Sequence, residues 1–284
     1  MSIEIKNLTK RFGSLTALDK VSFTLEENRI YGLLGNNGAG KTTLLSVITN
    51  RLYPDEGQVL IDGESVFDND NALGKIFMLS EANLYPEEMK VFRAFKAAAL
   101  FYPNFDAEYA DKLSKLFGLD TRKKIIALST GYASIFRLIM AFSVNTPYLF
   151  LDEPVLGLDA QHRDMFYKLL LEKYAQKPCT ILISTHLIQE AAGLIEHAII
   201  IHNGRLLRNL PSDDLLAEVY NVSGSVSLVN SYIAGKNVLS ENTIGGLKTA
   251  CIEGRADDLP AGLEFSRAEL QDYFISLMNK EEAK

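Results

Sequence analysis

The stretch Gly35-Asn36-Asn37-Gly38-Ala39-Gly40-Lys41-Thr42-Thr43 carries the strongest chemical signal in this sequence. Gly35 and Gly40 stand ahead of Lys41 and Thr42 at the spacing of a phosphate-binding loop. Glycines there let backbone N–H groups close around phosphate oxygens, and a helix starting at the loop adds its positive end. Lys41 would reach β- and γ-phosphates, and Thr42 would ligate Mg²⁺. A second stretch, Tyr148-Leu149-Phe150-Leu151-Asp152-Glu153-Pro154, ends an apolar run in two carboxylates. Asp152 would hold Mg²⁺ through its hydration shell. Glu153 would orient or deprotonate an attacking water. A third run, Ile183-Ser184-Thr185-His186, ends in an imidazole able to hydrogen-bond a γ-phosphate. Singly, an acidic turn or a histidine at a strand end is more often structural. The phosphate loop on the same sheet gives both a task.

The surrounding pattern must put these residues on one edge. Residues 1–30 alternate apolar and polar, as in Ser2-Ile3-Glu4-Ile5-Lys6, which reads as half-buried antiparallel strands. Ile30–Leu34 is a short apolar run that stops at Gly35, and Lys41–Leu52 has helical spacing closed by Pro54 and Gly57. Gln58–Phe67 reads as a hairpin around Asp62-Gly63. Residues from 84 to about 145 read as a helical insert, with helices near Phe92–Phe101 and Tyr109–Phe117. Strands return at Tyr148–Leu151, Thr180–Ser184 and Ala198–His202 with helices between, so the fold class is α/β with a mainly parallel sheet. At the carboxyl edge of such a sheet ligands bind. Residues 212–284 differ in texture: Ser225–Val229 and Thr249–Ile252 read as short strands, and Ser266-Arg267-Ala268-Glu269 as a capping-box start to a helix through Met278.

Bulk properties narrow the function. The 284 residues suggest two domains, or one with an appendage. Against 29 Lys and Arg stand 36 Asp and Glu, a net charge of −7, which disfavours a non-specific nucleic-acid partner. Two cysteines, Cys179 and Cys251, give no disulfide framework and point to a reducing compartment. No apolar run approaches the roughly 20 residues of a membrane span, so work at a membrane requires a partner.

With these motifs in order, the chain resembles the ATP-binding subunit of an ABC transporter over about residues 1–211, leaving 212–284 as a C-terminal accessory region. The resemblance implies a P-loop NTPase (RecA-like) core, an antiparallel N-terminal β subdomain, a helical insert and a small α/β extension. Phe12 within Lys10-Arg11-Phe12-Gly13 then matches the loop that stacks on adenine, residues 35–43 the Walker A loop and Tyr148–Glu153 Walker B. Leu128-Ser129-Thr130-Gly131-Tyr132 falls at the LSGGQ signature, Gly157-Leu158-Asp159 at the D-loop and His186 at the switch histidine. Implied with these are ATP and Mg²⁺, head-to-tail closure with a second ATPase subunit on two nucleotides, a membrane-spanning permease partner, and a cytoplasmic place on the inner membrane face. The tail's Arg267-Ala268-Glu269-Leu270-Gln271-Asp272-Tyr273-Phe274 resembles a stretch of prokaryotic peptide and drug exporters.

Two departures stand out. Glu81 takes the place of the Q-loop glutamine; ionised, it only accepts hydrogen bonds, though it would offer Mg²⁺ an oxygen. Tyr132 replaces the signature's usual Gln, while Ser129 and Gly131 are retained, which weakens the half-site offered to a partner and motivates a heterodimer with a regular signature on the other subunit. Two other readings fit the same residues: an ABC ATPase acting without a permease, and a nucleotide-gated regulatory or immunity module with little turnover.

Overall fold

The computed structural model describes residues 1–82, 84–256 and 260–282. In chain order the elements are β1 (Ser2–Phe12), β2 (Leu15–Glu26), β3 (Ile30–Leu34), α1 (Lys41–Ile48), β4 (Glu56–Ile61), β5 (Glu64–Ser65), α2 (Asp70–Leu73) and β6 (Ile76–Leu79). The helical layer follows as α3 (Val91–Phe101), α4 (Ala107–Leu116) and α5 (Thr130–Ser143). Then come β7 (Tyr148–Asp152), α6 (Ala160–Gln176), β8 (Thr180–Ser184), α7 (Ile188–Ala191), β9 (His197–His202) and β10 (Arg205–Pro211). The C-terminal region holds α8 (Ser212–Ala217), β11 (Val219–Ser225), α9 (Val226–Ile233), β12 (Asn237–Ile244), β13 (Leu247–Glu253), β14 (Leu263–Arg267) and α10 (Leu270–Glu282).

The central sheet has the order β10-β9-β3-β8-β7-β6, parallel throughout except for antiparallel β10 at one edge. Its inner strands β3, β7 and β8 are buried along their whole length, as continuous apolar runs in a sheet covered on both faces require. Their alternate residues enter two different cores. Tyr31, Leu33, Tyr148, Phe150 and Leu182 pack toward α1 and the antiparallel sheet β2-β1-β4-β5, whereas Leu149, Leu151, Ile181 and Ile183 pack toward α3–α6. The period of two thus aims both layers at one sheet, and all loops after β3, β7 and β8 leave from the same edge.

Helix α1 stops at Ile48, short of the expected Leu52, because Asn50 takes a left-handed φ of 54° that a helix cannot continue through. The C-terminal region departs more from expectation. Its sheet β12-β13-β11-β14 is antiparallel. Ser225–Val229 is not a strand: from Val226 the chain is helix α9, whose Val229 and Ile233, four residues apart, both bury against Ala250 and Ile252. Nor does Ser266 cap a helix. It lies in β14 opposite Asn221, the ladder takes its backbone groups, and α10 opens only at Leu270 and runs on to Glu282. One face of α10, with Leu270, Phe274 and Leu277, shares a core with Ile188 and Ala191 of α7 and Leu34 of β3, so this region is built onto the central sheet. Among the described residues no helix is long and apolar enough to cross a membrane.

Candidate active site

The loop between β3 and α1 owes its shape to glycine. Gly38 and Gly40 have φ of 81° and 106°, and a Cβ on Gly40 would stand 2.5 Å from the Ala17 carbonyl oxygen. A Cβ on Gly35 would stand 2.6 Å from the Ile201 oxygen. The chain turns through an Ala39 N–H to Asn36 carbonyl bond of 3.0 Å and enters α1 at Leu44 N–H to Gly40 carbonyl, 2.8 Å. Helix α1 has neither a side-chain cap nor an acidic residue in its first turn. Its free N–H groups are therefore left for an anion. Lys41 folds back into the loop, its Nζ donating to the carbonyls of Gly35 at 2.7 Å and Asn36 at 3.3 Å. Burial pushes the Lys41 ammonium below its usual pKa, an effect opposed by nearby Glu153 and Asp152. A buried cation with only carbonyl partners is a receptor for negative charge.

Strand β7 delivers Asp152 directly behind that loop. Thr42 Oγ1 donates to Asp152 Oδ2 at 2.9 Å, tying α1 to β7. The other oxygen, Oδ1, is buried and has no hydrogen-bond partner among the described residues. An orphaned carboxylate oxygen beside a threonine hydroxyl is a hard-oxygen pair suited to Mg²⁺, which commonly takes one or two protein ligands plus phosphate oxygens and water. Among the described residues no cluster of three or more His, Cys, Asp or Glu could hold a metal alone. The donor set therefore fits an ion that arrives with phosphates.

Glu153 follows at a left-handed φ of 47°, rare for a residue with a side chain and enriched at functional sites. Its N–H donates to the Ser184 carbonyl at 2.8 Å, locking the ends of β7 and β8 together. Its Oε2 accepts from His186 Nδ1 at 2.8 Å and from the His186 N–H at 3.4 Å. An ionised carboxylate only accepts, so Nδ1 carries the proton of this contact and Nε2 is left for another partner.

The loop and the acid pair open on a cleft of about 540 Å³ lined by Phe12, Asn37, Gly38, Gly40, Lys41, Thr42, Thr43, Asp152 and Glu153; His186 is outside the lining and reaches it only through Glu153. Phe12, a residue 46% exposed, ends β1 and lines the cleft, its ring 5.5 Å from the Lys10 ammonium. Gly35, Asn36 and Ala39 belong to the loop but not to the cleft lining. Ser129, Thr130 and Gly131 do not line this cleft. They start α5, where the Ser129 hydroxyl accepts from the Tyr132 N–H at 3.4 Å. Asp159 caps α6 from a separate loop. Glu81 also lies outside the lining; its side chain is exposed and its backbone carbonyl accepts from Arg137. The sequence reading missed Leu15, Thr16, Ala17, Asn203 and Gly204, which complete the cleft wall. Asn203-Gly204, a tight-turn pair after the β9 run, was the signal available for the last two.

Comparison with known proteins gives the family. A family model described as ABC transporter matches residues 18–156. The bacitracin transport ATP-binding protein BcrA of Bacillus licheniformis is 32% identical over 221 residues, covering 75% of this chain and 71% of that protein. The ABC transporter ATP-binding protein YtrB of Bacillus subtilis is 28% identical over 251 residues, covering 88% and 86%. A solved ATP-binding subunit of an ABC transporter superposes with a TM-score of 0.69 at 27% identity, over 76% of this chain and 92% of that one. Sequence, fold and relatives converge: the chain belongs to the ABC transporter family, as an ATP-binding subunit.

Proposed function

We propose that this chain binds and hydrolyses MgATP and, closing head-to-tail with a second ATPase subunit, drives a separate membrane permease from the cytoplasmic face. The observation that carries the reading is the Glu153–His186 pair, 2.8 Å apart, set beside the Thr42–Asp152 pair at the end of the phosphate loop. Phe12 offers its exposed ring to adenine. Backbone N–H groups of residues 35–43 and the Lys41 ammonium take the phosphates. Thr42 and Asp152 would hold Mg²⁺, which neutralises phosphate charge. Glu153 orients and deprotonates the attacking water, and His186 fixes Glu153 and presents Nε2 toward the γ-phosphate. Phosphoryl transfer asks mainly for position and charge neutralisation, and these groups supply both.

Glu153→Gln in the full chain tests the reading. The amide keeps the size of the side chain and loses the base, so ATP turnover should fall about 10²- to 10⁴-fold while ATP binding persists. Equal turnover in both proteins would favour the binding-module reading instead. Ser129, Thr130, Gly131 and Asp159 would face the second subunit's nucleotide. The Tyr132 signature favours a heterodimer, an idea that loses its motive if the purified chain alone hydrolyses ATP cooperatively. We assign export of a peptide or drug-like substrate, supported by a bacitracin transport relative at 32% identity against a petrobactin import relative at 26%. Co-purification of a permease from solubilised membranes, and peptide-antibiotic sensitivity of a strain lacking the chain, test that assignment.

A further inference from the structure

The seven residues from Glu153 to Asp159 connect two places that the proposed function uses. One end is Glu153 in the cleft. The middle lies on the start of α5: Ser134 Oγ donates to the Leu156 carbonyl at 2.8 Å, and a Cβ on Gly131 would stand 3.3 Å from the Gly157 oxygen. Short turns, Leu156 N–H to Glu153 carbonyl and Leu158 N–H to Val155 carbonyl, both 3.1 Å, stiffen the segment. Its far end is gripped by one residue that no motif contains. His162 donates its backbone N–H to Asp159 Oδ1 at 2.9 Å, and its Nδ1 meets Asp159 Oδ2 at 2.9 Å. These bonds, the backbone one foremost, hold the Asp159 carboxyl below its usual pKa, so it is ionised and Nδ1 is the donor.

The ring of His162 has a second partner. It stacks on Phe117 at 5.8 Å between centroids and 28° between planes. Phe117 closes α4, is 3% exposed, and belongs to the core of the helical layer. The next residue, Gly118, has a left-handed φ of 66°, and a Cβ there would lie 3.7 Å from the Tyr132 hydroxyl. One turn of the helical layer thus meets both the start of α5, through Tyr132, and the start of α6, through His162.

We propose that His162 is a positioning residue for ATP turnover, its imidazole pinning the Asp159 end of the Glu153–Asp159 loop to the helical layer at Phe117. The proposal rests on the ATPase reading above and goes beyond it, because it couples displacement of the helical layer to the segment that carries Glu153. Two fixed points matter here: an aromatic stack that follows the helical layer, and a charge-assisted hydrogen bond that follows the loop.

Three variants of the full chain separate the two attachments. His162→Asn keeps a donor at the position of Nδ1 and loses the stack. His162→Phe keeps the stack and loses the donor. His162→Ala loses both. The backbone N–H that caps α6 survives in all three. Expected for His162→Ala is a fall in kcat of roughly fivefold or more, the scale of one hydrogen bond, with KM for ATP within about twofold and a melting temperature lowered by only a few degrees, so that the chain stays folded under assay. His162→Asn and His162→Phe should each recover part of that loss. Amide exchange at Leu156–Asp159 should quicken in His162→Ala, a readout that does not need hydrolysis. Wild-type kcat in His162→Ala, a change confined to KM, or unaltered exchange in the loop overturns the proposal. Absence of turnover in the wild-type chain sinks the ATPase reading, while the exchange measurement still decides whether His162 pins the loop.

Discussion

Asp152→Asn separates two roles that the structure gives one side chain. Asp152 is 7% exposed, with Oδ2 accepting from Thr42 at 2.9 Å and Oδ1 without a partner among the described residues. Burying an unsatisfied charged oxygen costs on the order of 1–3 kcal/mol. Asparagine keeps an acceptor for Thr42 and removes the charge, so the empty chain should be as stable as wild type, within about 1 kcal/mol. The loss falls on the liganded state. At ATP 100-fold above its dissociation constant with Mg²⁺ present, binding should stabilise wild type by about 2.7 kcal/mol, or roughly 5 °C at about 2 °C per kcal/mol. A 30-fold weakening through the lost ligand would reduce this to about 0.9 kcal/mol, near 2 °C. Thermal unfolding of both proteins with ATP, with and without Mg²⁺, reads this difference. Asp152→Asn melting with the same Mg²⁺-dependent shift as wild type would refute the assignment of the orphaned oxygen to a metal.

Three further outcomes can be measured. Gly40→Ala places a methyl 2.5 Å from the Ala17 oxygen at a φ of 106°, whereas Gly38→Ala at 81° meets open space; unfolding free energies from denaturant titration should drop by about 2–4 kcal/mol for the first and about 1 kcal/mol for the second. Burial depresses the Lys41 pKa, so below 10.5 the folded chain binds fewer protons than the unfolded one, and its stability gains from Lys41 as pH rises toward 10.5. Phosphates reverse the bias: ATP binding should take up a proton just below pH 10.5 and weaken through that window, measurable by calorimetry in two buffers of different ionisation heat. Glu81→Gln should retain or raise Mg-dependent turnover, since the side chain is exposed and lies outside the cleft lining; complete loss of activity in a folded variant would contradict this.

The central sheet was legible because burial on both faces forces uninterrupted apolar runs, and Ile30–Leu34, Tyr148–Leu151 and Thr180–Ser184 have no competing interpretation. The phosphate loop was legible because its glycines are dictated locally, by backbone angles and by the approach of the Ala17 and Ile201 carbonyls. The C-terminal region was less so. Val226–Ile233 is β-branched and apolar enough for a strand, and becomes α9 because Val229 and Ile233 find one buried face against β13. Ser266 carries a cap signature that the ladder with Asn221 overrides. The His162–Phe117 stack joins residues remote in sequence and carries no periodicity at all, so only coordinates reveal it.

The cleft is assembled from groups that the chain itself leaves incompletely satisfied. Helix α1 begins uncapped, Lys41 is buried against carbonyls, and one oxygen of Asp152 has no donor. Each defect has a sign: free N–H groups and an ammonium attract anions, and a bare carboxylate oxygen attracts a cation. Their signs are complementary to the two parts of a metal–triphosphate, and the local destabilisation they impose is released on binding. Glu153 adds strained backbone at φ 47°, held by the Ser184 carbonyl and by His186. A fold selected only for stability would cap α1. Substitutions that do so should raise the melting point of the empty chain and lower its gain from ATP, and a variant that improves both would break the link between strain at this edge and nucleotide capture.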